Sequence, residues 1–249
     1  MSGHNKWSSI KHKKAATDSK RGKIFTKIIR EITVAAKAGG GDIDSNPNLR
    51  LAVSKAKAAN MPADNISRAI KKGTGELEGV TYEEALYEGY GPGGVGILVQ
   101  VLTDNKNRSA SDIRAVFTRK GGSLASQGAV SYQFQRKGFF EISKDAVSED
   151  DLFMLVTDAG AEDLKSDEEN FEVITELSAF EDVRKALENA DIECSRSETA
   201  QLPDTLIAVA EVETAKKLLN MIDALEDNDD VQNVYDNSDI PQNILEQLE

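Results

Sequence analysis

The sequence predicts an α+β protein: an N-terminal three-helix bundle followed by two α/β domains of ferredoxin-like βαββαβ order, one inserted into the other. Three observations predict it. Apolar residues recur every three or four positions between residues 18 and 73, then the period changes to alternating strands and helices. Residues 138–199 run strand, helix, strand, strand, helix, strand. Further strand and helix pieces flank that run on both sides. The expected domains are 1–78 (arm and bundle), 79–136 with 203–249 (a discontinuous α/β domain), and 137–202 (the insert).

Residues 1–16 have no period, and their Lys, Ser, Asn and His content suggests an arm that is mobile when alone. From Asp18 to Lys37, Phe25, Ile28, Ile29, Ile32 and Ala36 form an apolar stripe. Lys20, Lys23, Lys27 and Arg30 fall on the opposite side of the wheel. Gly39-Gly40-Gly41 ends this helix. Asn46-Pro47 starts a second, with Leu49, Ala52, Val53 and Ala56 inward. Asn60-Met61-Pro62 separates it from a third, in which Ile66, Ala69 and Ile70 face in, Arg68, Lys71 and Lys72 face out, and Gly73 closes the helix.

Acidic Glu76–Gly79 reads as a linker. Strands are expected at 85–90, 95–102 and 129–135, with a helix to Lys120 capped by Ser109 and Asp112. The inserted unit follows: strands at 138–143, 162–165, 171–175 and 193–199. Its helices are capped at Ser148 and Ser178. A strand at 205–210, a helix at 213–225 and a strand at 231–235 complete the outer unit as a second, interrupted βαββαβ series.

Little in the 249 residues supports catalysis. The single cysteine, Cys194, excludes an intrachain disulfide framework and suits a reducing cytoplasm. Both histidines, His4 and His12, lie in the cationic arm. No metal site, catalytic site or cofactor is expected, and the protein is not expected to be an enzyme. Gly91-Pro92-Gly93-Gly94-Val95-Gly96 matches G-x-G-x-x-G, but it precedes a strand instead of opening a helix, so it is not a dinucleotide loop. The run Asp227–Asp230 reads as a solvated acidic cluster. No apolar run spans a membrane.

Charge carries the functional signal. Residues 1–75 hold 16 Lys and Arg against 5 Asp and Glu, a net +11, while the remainder holds 14 against 38, a net −24. A polyanion meets the local patch, not the whole-chain pI. The expected nucleic-acid contacts are Lys6, Lys11, Lys13, Lys14, Lys20, Arg21, Lys23, Lys27, Arg30, Lys71 and Lys72, with a second spot at Lys106 and Arg108. Lysine exceeds arginine in the arm, which suits phosphate contact better than base readout. Trp7 fits either stacking on a base or pinning the arm to the bundle. DNA and RNA are both open on these residues.

Several motifs, taken together, resemble the YebC family end to end: Gly3-His4 with Trp7, Ile10-Lys11-His12-Lys13-Lys14, Lys20-Arg21-Gly22-Lys23, Asn60-Met61-Pro62, Tyr87–Gly94 and Thr103–Arg108. The resemblance implies a helical bundle and two α/β domains, and a bacterial cytoplasmic protein usually labelled a transcriptional regulator that binds DNA. Mitochondrial relatives are translational activators, and a role at ribosomes stalled on proline-rich nascent chains is also associated with the family. No transit-like extension precedes the motif, which favours the bacterial branch. The expected partner is nucleic acid, either DNA or ribosomal RNA, with no membrane partner and a monomeric state.

Overall fold

The computed structural model describes residues 18–167 and 169–248, with side chains from residue 21 onward. The chain divides into two compact units. One comprises the chain up to Gln133 together with Thr205 onward; the other is Phe134–Asp204.

The first unit begins with three helices, α1 (Asp18–Gly39), α2 (Pro47–Ala58) and α3 (Ala63–Thr74). Ile28, Ile32 and Ala36 of α1 meet Leu49, Ala52, Val53 and Ala56 of α2 and Ile66 and Ala69 of α3 in one buried cluster. Burying a side chain such as Leu49 contributes about 2 kcal/mol. Asn46 caps α2 by accepting from the Leu49 amide, at 3.1 Å, while its own amide group donates to the Ala35 and Gly40 carbonyls. One side chain thus starts α2 and ties it to the end of α1. Gly73 does not end α3 as expected. It lies within the helix, and a Cβ there would meet the Thr33 carbonyl oxygen at 2.4 Å, so it permits α3 to approach α1 closely. The helix ends at Gly75, whose φ of 83° is left-handed.

The same unit continues with β1 (Glu83–Tyr90) and β2 (Gly96–Thr103), an antiparallel pair in which Tyr90 faces Gly96. A short 3₁₀ turn joins them, with positive φ at Gly93 and Gly94. Next come α4 (Lys106–Arg119), β3 (Ser123–Leu124), β8 (Ile207–Ala208), α7 (Val212–Glu226), β9 (Val231–Asp236), β10 (Ser238–Asp239) and α8 (Gln242–Leu248). The main sheet has the order β3-β1-β2-β9. Its core is Ile97, Val99 and Val101 of β2 against Ile113 and Phe117 of α4 and Leu218, Met221, Ile222 and Leu225 of α7.

Three element-level expectations change here. Of the strand expected at 129–135, only Phe134 and Gln135 are in a strand, as the start of β4 (Phe134–Ser143); residues 129–133 form none, because the buried Glu88 carboxylate accepts the amides of Gly128, Val130 and Ser131 at 2.7–2.8 Å. Those donors cannot join a ladder, and Ser131–Gln133 coils into a 3₁₀ turn. The segment 205–210 keeps only β8, which pairs in parallel with β10 outside the main sheet. Asn105, not Ser109, caps α4, accepting from the Arg108 amide at 3.1 Å.

The second unit contains β4 (Phe134–Ser143), α5 (Glu149–Asp158), β5 (Ala161–Ser166), β6 (Asn170–Thr175), α6 (Phe180–Asn189) and β7 (Arg196–Pro203). Its sheet order, β5-β6-β4-β7 with antiparallel neighbours, is the ferredoxin-like arrangement. Ser148 caps α5 as expected, accepting from the Asp151 amide. At α6 the cap position is Ala179, which makes no side-chain capping bond, so the expected Ser178 cap does not form. Phe140 stacks on Phe180 at 4.8 Å and pins α6 to the sheet.

Candidate nucleic-acid interface

The apolar stripe of α1 turns Lys23, Lys27 and Arg30 to another side of the helix. That side does not face open solvent. It meets the turn that follows α7, residues 226–230. Lys23 Nζ donates to Asp227 Oδ1 at 3.0 Å and to its carbonyl at 3.2 Å. Lys27 Nζ donates to the Glu226 carbonyl at 2.7 Å. Arg30 Nη1 donates to Asp230 Oδ1 at 2.6 Å, to the Asp229 carbonyl at 2.7 Å and to the Leu102 carbonyl at 3.1 Å. Its guanidinium also lies over the Tyr82 ring at 5.3 Å. The cations sit one helical turn apart and meet the negative end of α7 together with its acidic extension.

Asp230 organises this contact. It is 4% exposed. Oδ2 accepts from Ser109 Oγ at 2.6 Å, Arg108 Nη2 at 2.9 Å and Thr103 Oγ1 at 3.2 Å, while Oδ1 takes Arg30. Burial pushes the carboxyl up, but the bonds from Ser109, Arg108 and Arg30 outweigh it and hold the pKa at about 2. Arg108 also pairs with Asp104 at 2.7 Å, and its bonds to Asp230 and Asp104 raise its pKa. Burial lowers the Lys27 pKa against the attraction of Glu226 and Asp229. An open polar cleft of about 520 Å³ lies above these groups, with Tyr82, Arg108 and Asp229 on its walls.

The expected contact residues therefore separate into groups. Lys6, Lys11, Lys13 and Lys14 lie outside the described residues, as do Trp7, both histidines and the side chain of Lys20. Lys27 and Arg30 are held internally, and Lys23 remains 43% exposed beside Asp227. Arg108 is neutralised on two carboxylates, and exposed Lys106 pairs with Glu83 at 2.6 Å. Exposed Arg21 lies over Phe25. Lys71 and Lys72 are exposed on α3, and Arg68 stands three and four positions before them on the same face. These three form no ion pair among the described residues.

Asp230 escaped sequence reasoning because Asp227–Asp230 looked uniformly solvated, whereas its last member is buried. Ser109 escaped because it resembled a cap. The Thr103–Ser109 motif was visible, but not its partner, more than 120 positions away. Elsewhere, burial pushes the Cys194 thiol up to about 11, which disfavours a thiolate nucleophile. Among the described residues no group of three or more His, Cys, Asp or Glu could hold a metal ion, and no helix is long and apolar enough to cross a membrane.

Comparison with known proteins gives a consistent answer. The TACO1/YebC protein N-terminal domain matches residues 5–76, and the TACO1/YebC second and third domain matches residues 82–238. A probable transcriptional regulatory protein of Syntrophobacter fumaroxidans is 56% identical over 248 residues, covering all of both chains. One of Geobacter sulfurreducens is 55% identical, again over the full length of both. The crystal structure of a conserved hypothetical protein from Aquifex aeolicus superposes with a TM-score of 0.83 at 45% identity, covering 90% of this chain and 93% of that one. With bundle and α/β domains both matched along almost the whole sequence, this chain belongs to the TACO1/YebC family.

Proposed function

We propose that this protein is a cytoplasmic, nucleic-acid-binding regulator of gene expression that acts on DNA as a transcriptional regulator. The observation that carries this reading is the open cationic face of α3, where Arg68, Lys71 and Lys72 project without acidic partners from a segment of net +11. Each lysine placed against a phosphate releases counterions, so binding should weaken steeply with salt. The names of the relatives, probable transcriptional regulatory proteins, support a regulator. Nothing in the site suggests turnover, and no catalytic role is proposed.

The second unit is a poor phosphate surface. Residues 134–204 hold 20 Asp and Glu against 7 Lys and Arg, a net −13 that repels a polyanion. Contact is therefore assigned to the bundle and, by charge, to the arm.

A second reading is an RNA- or ribosome-binding translation factor that relieves stalls on proline-rich nascent chains. The prevalence of lysine in the arm fits it, because lysine suits sequence-independent backbone contact, as on a ribosome, better than the base readout a promoter requires. Binding to promoter duplexes at physiological salt, set beside co-sedimentation with ribosomes, separates the two. Selective duplex binding supports the first. Ribosome association without duplex selectivity replaces it with the second.

A further inference from the structure

The cationic side of α1 is occupied by the protein's own acidic segment. Lys23 and Lys27 point at the Glu226 and Asp227 backbone and at the Asp227 carboxylate, oxygen acceptors of the kind that a phosphate also offers a lysine. The contact is graded. At the Asp230 end, the side chains of Arg30 and Asp230 are 12% and 6% exposed; at the outer end, those of Lys23 and Asp227 are 43% and 78% exposed. An exposed pair opens readily, whereas the buried one anchors the segment.

We infer that residues 226–229 act as an internal phosphate mimic that covers a second nucleic-acid-binding surface on α1, and that a bound polyanion displaces them from Lys23 and Lys27 while Arg30 stays on Asp230. This rests on the nucleic-acid reading above and adds a competitor to it. The closed contact lowers apparent affinity by the fraction of molecules in which α1 is free. It also selects against weak or sparse anions, because several phosphates must replace the segment together.

The test uses the full chain and fluorescein-labelled 20-mers, one duplex DNA and one single-stranded RNA, by anisotropy over a salt series. The variant Asp227→Asn/Asp229→Asn weakens the cover and spares Asp230. A control, Glu213→Gln/Glu246→Gln, removes the same charge from exposed positions elsewhere. The expected result is about 3- to 10-fold tighter binding for the first variant, with a steeper salt slope, and a smaller change for the control. Binding by the wild type with equal tightening in both variants assigns the effect to general repulsion and overturns the inference. Binding with no change in either does the same. Absence of binding by all three chains overturns the nucleic-acid reading itself and the inference with it.

Discussion

Arg30 and Asp230 lie 200 positions apart and meet at 2.6 Å. The pair joins α1 to the turn between α7 and β9, and Arg108, Ser109 and Thr103 close around the same carboxylate. A buried carboxylate with four donors is stable only while all of them are present.

Replacing Asp230 by Ala should cost about 3–5 kcal/mol, because Arg30 and Arg108 lose a shared, desolvated partner. Asp230→Asn keeps the shape and an acceptor and should cost less. Urea midpoints for both variants check the order; equal stability of Asp230→Ala and wild type refutes the assigned role.

Acid should act through the same group. The Asp230 pKa is depressed from 3.8 to about 2 in the folded protein. A depressed carboxylate contributes stability that is fully present above its unfolded pKa and lost as pH falls through the folded one. The loss should therefore run from about pH 4 down to about pH 2 and amount to about 2 kcal/mol. Unfolding free energy measured across that window should fall more steeply in the wild type than in Asp230→Asn.

Glu88→Gln should loosen the loop at 127–131. The carboxylate accepts three backbone amides, and a carboxamide cannot accept all three equally while presenting its own donors. A loss of about 2 kcal/mol is expected, together with faster amide exchange at Gly128, Val130 and Ser131. Unchanged exchange there contradicts the arrangement.

Charge reversal on α3, with Arg68, Lys71 and Lys72 each changed to Glu, should weaken nucleic-acid binding strongly, flatten its salt dependence and leave the circular dichroism intact. Reversal of Lys23, Lys27 and Arg30 is a less clean experiment, since it also strips Asp230 of a partner. If the α3 variant binds as the wild type does, the surface assignment fails.

Gly73→Ala should destabilise the bundle by about 1–3 kcal/mol, because the added methyl would press on the Thr33 carbonyl and the Ala36 side chain. Thermal melts provide the comparison, and an unchanged midpoint would rule out this close approach of α3 to α1.

The sequence by itself determined what depends on neighbours in the chain. The stripe Ile28, Ile32, Ala36 marked the buried side of α1. Asn46-Pro47 marked the start of α2, and Ser148 that of α5. The element order of the insert was enough to assign its ferredoxin-like fold, and the motifs from Gly3 to Arg108 were enough to assign the family. Tertiary structure alone decided the rest. A helical wheel separates apolar from charged residues, but it cannot say whether the charged side meets water or a carboxylate 200 positions away. Residues 129–135 have a strand's composition, yet the amides of Gly128, Val130 and Ser131 belong to Glu88, 40 to 43 positions earlier, and the strand starts only at Phe134. The basic face of α1 and the acidic run after α7 were each legible as charge. Only folding placed them against each other, because ion pairing and desolvation depend on distance in space and not along the chain.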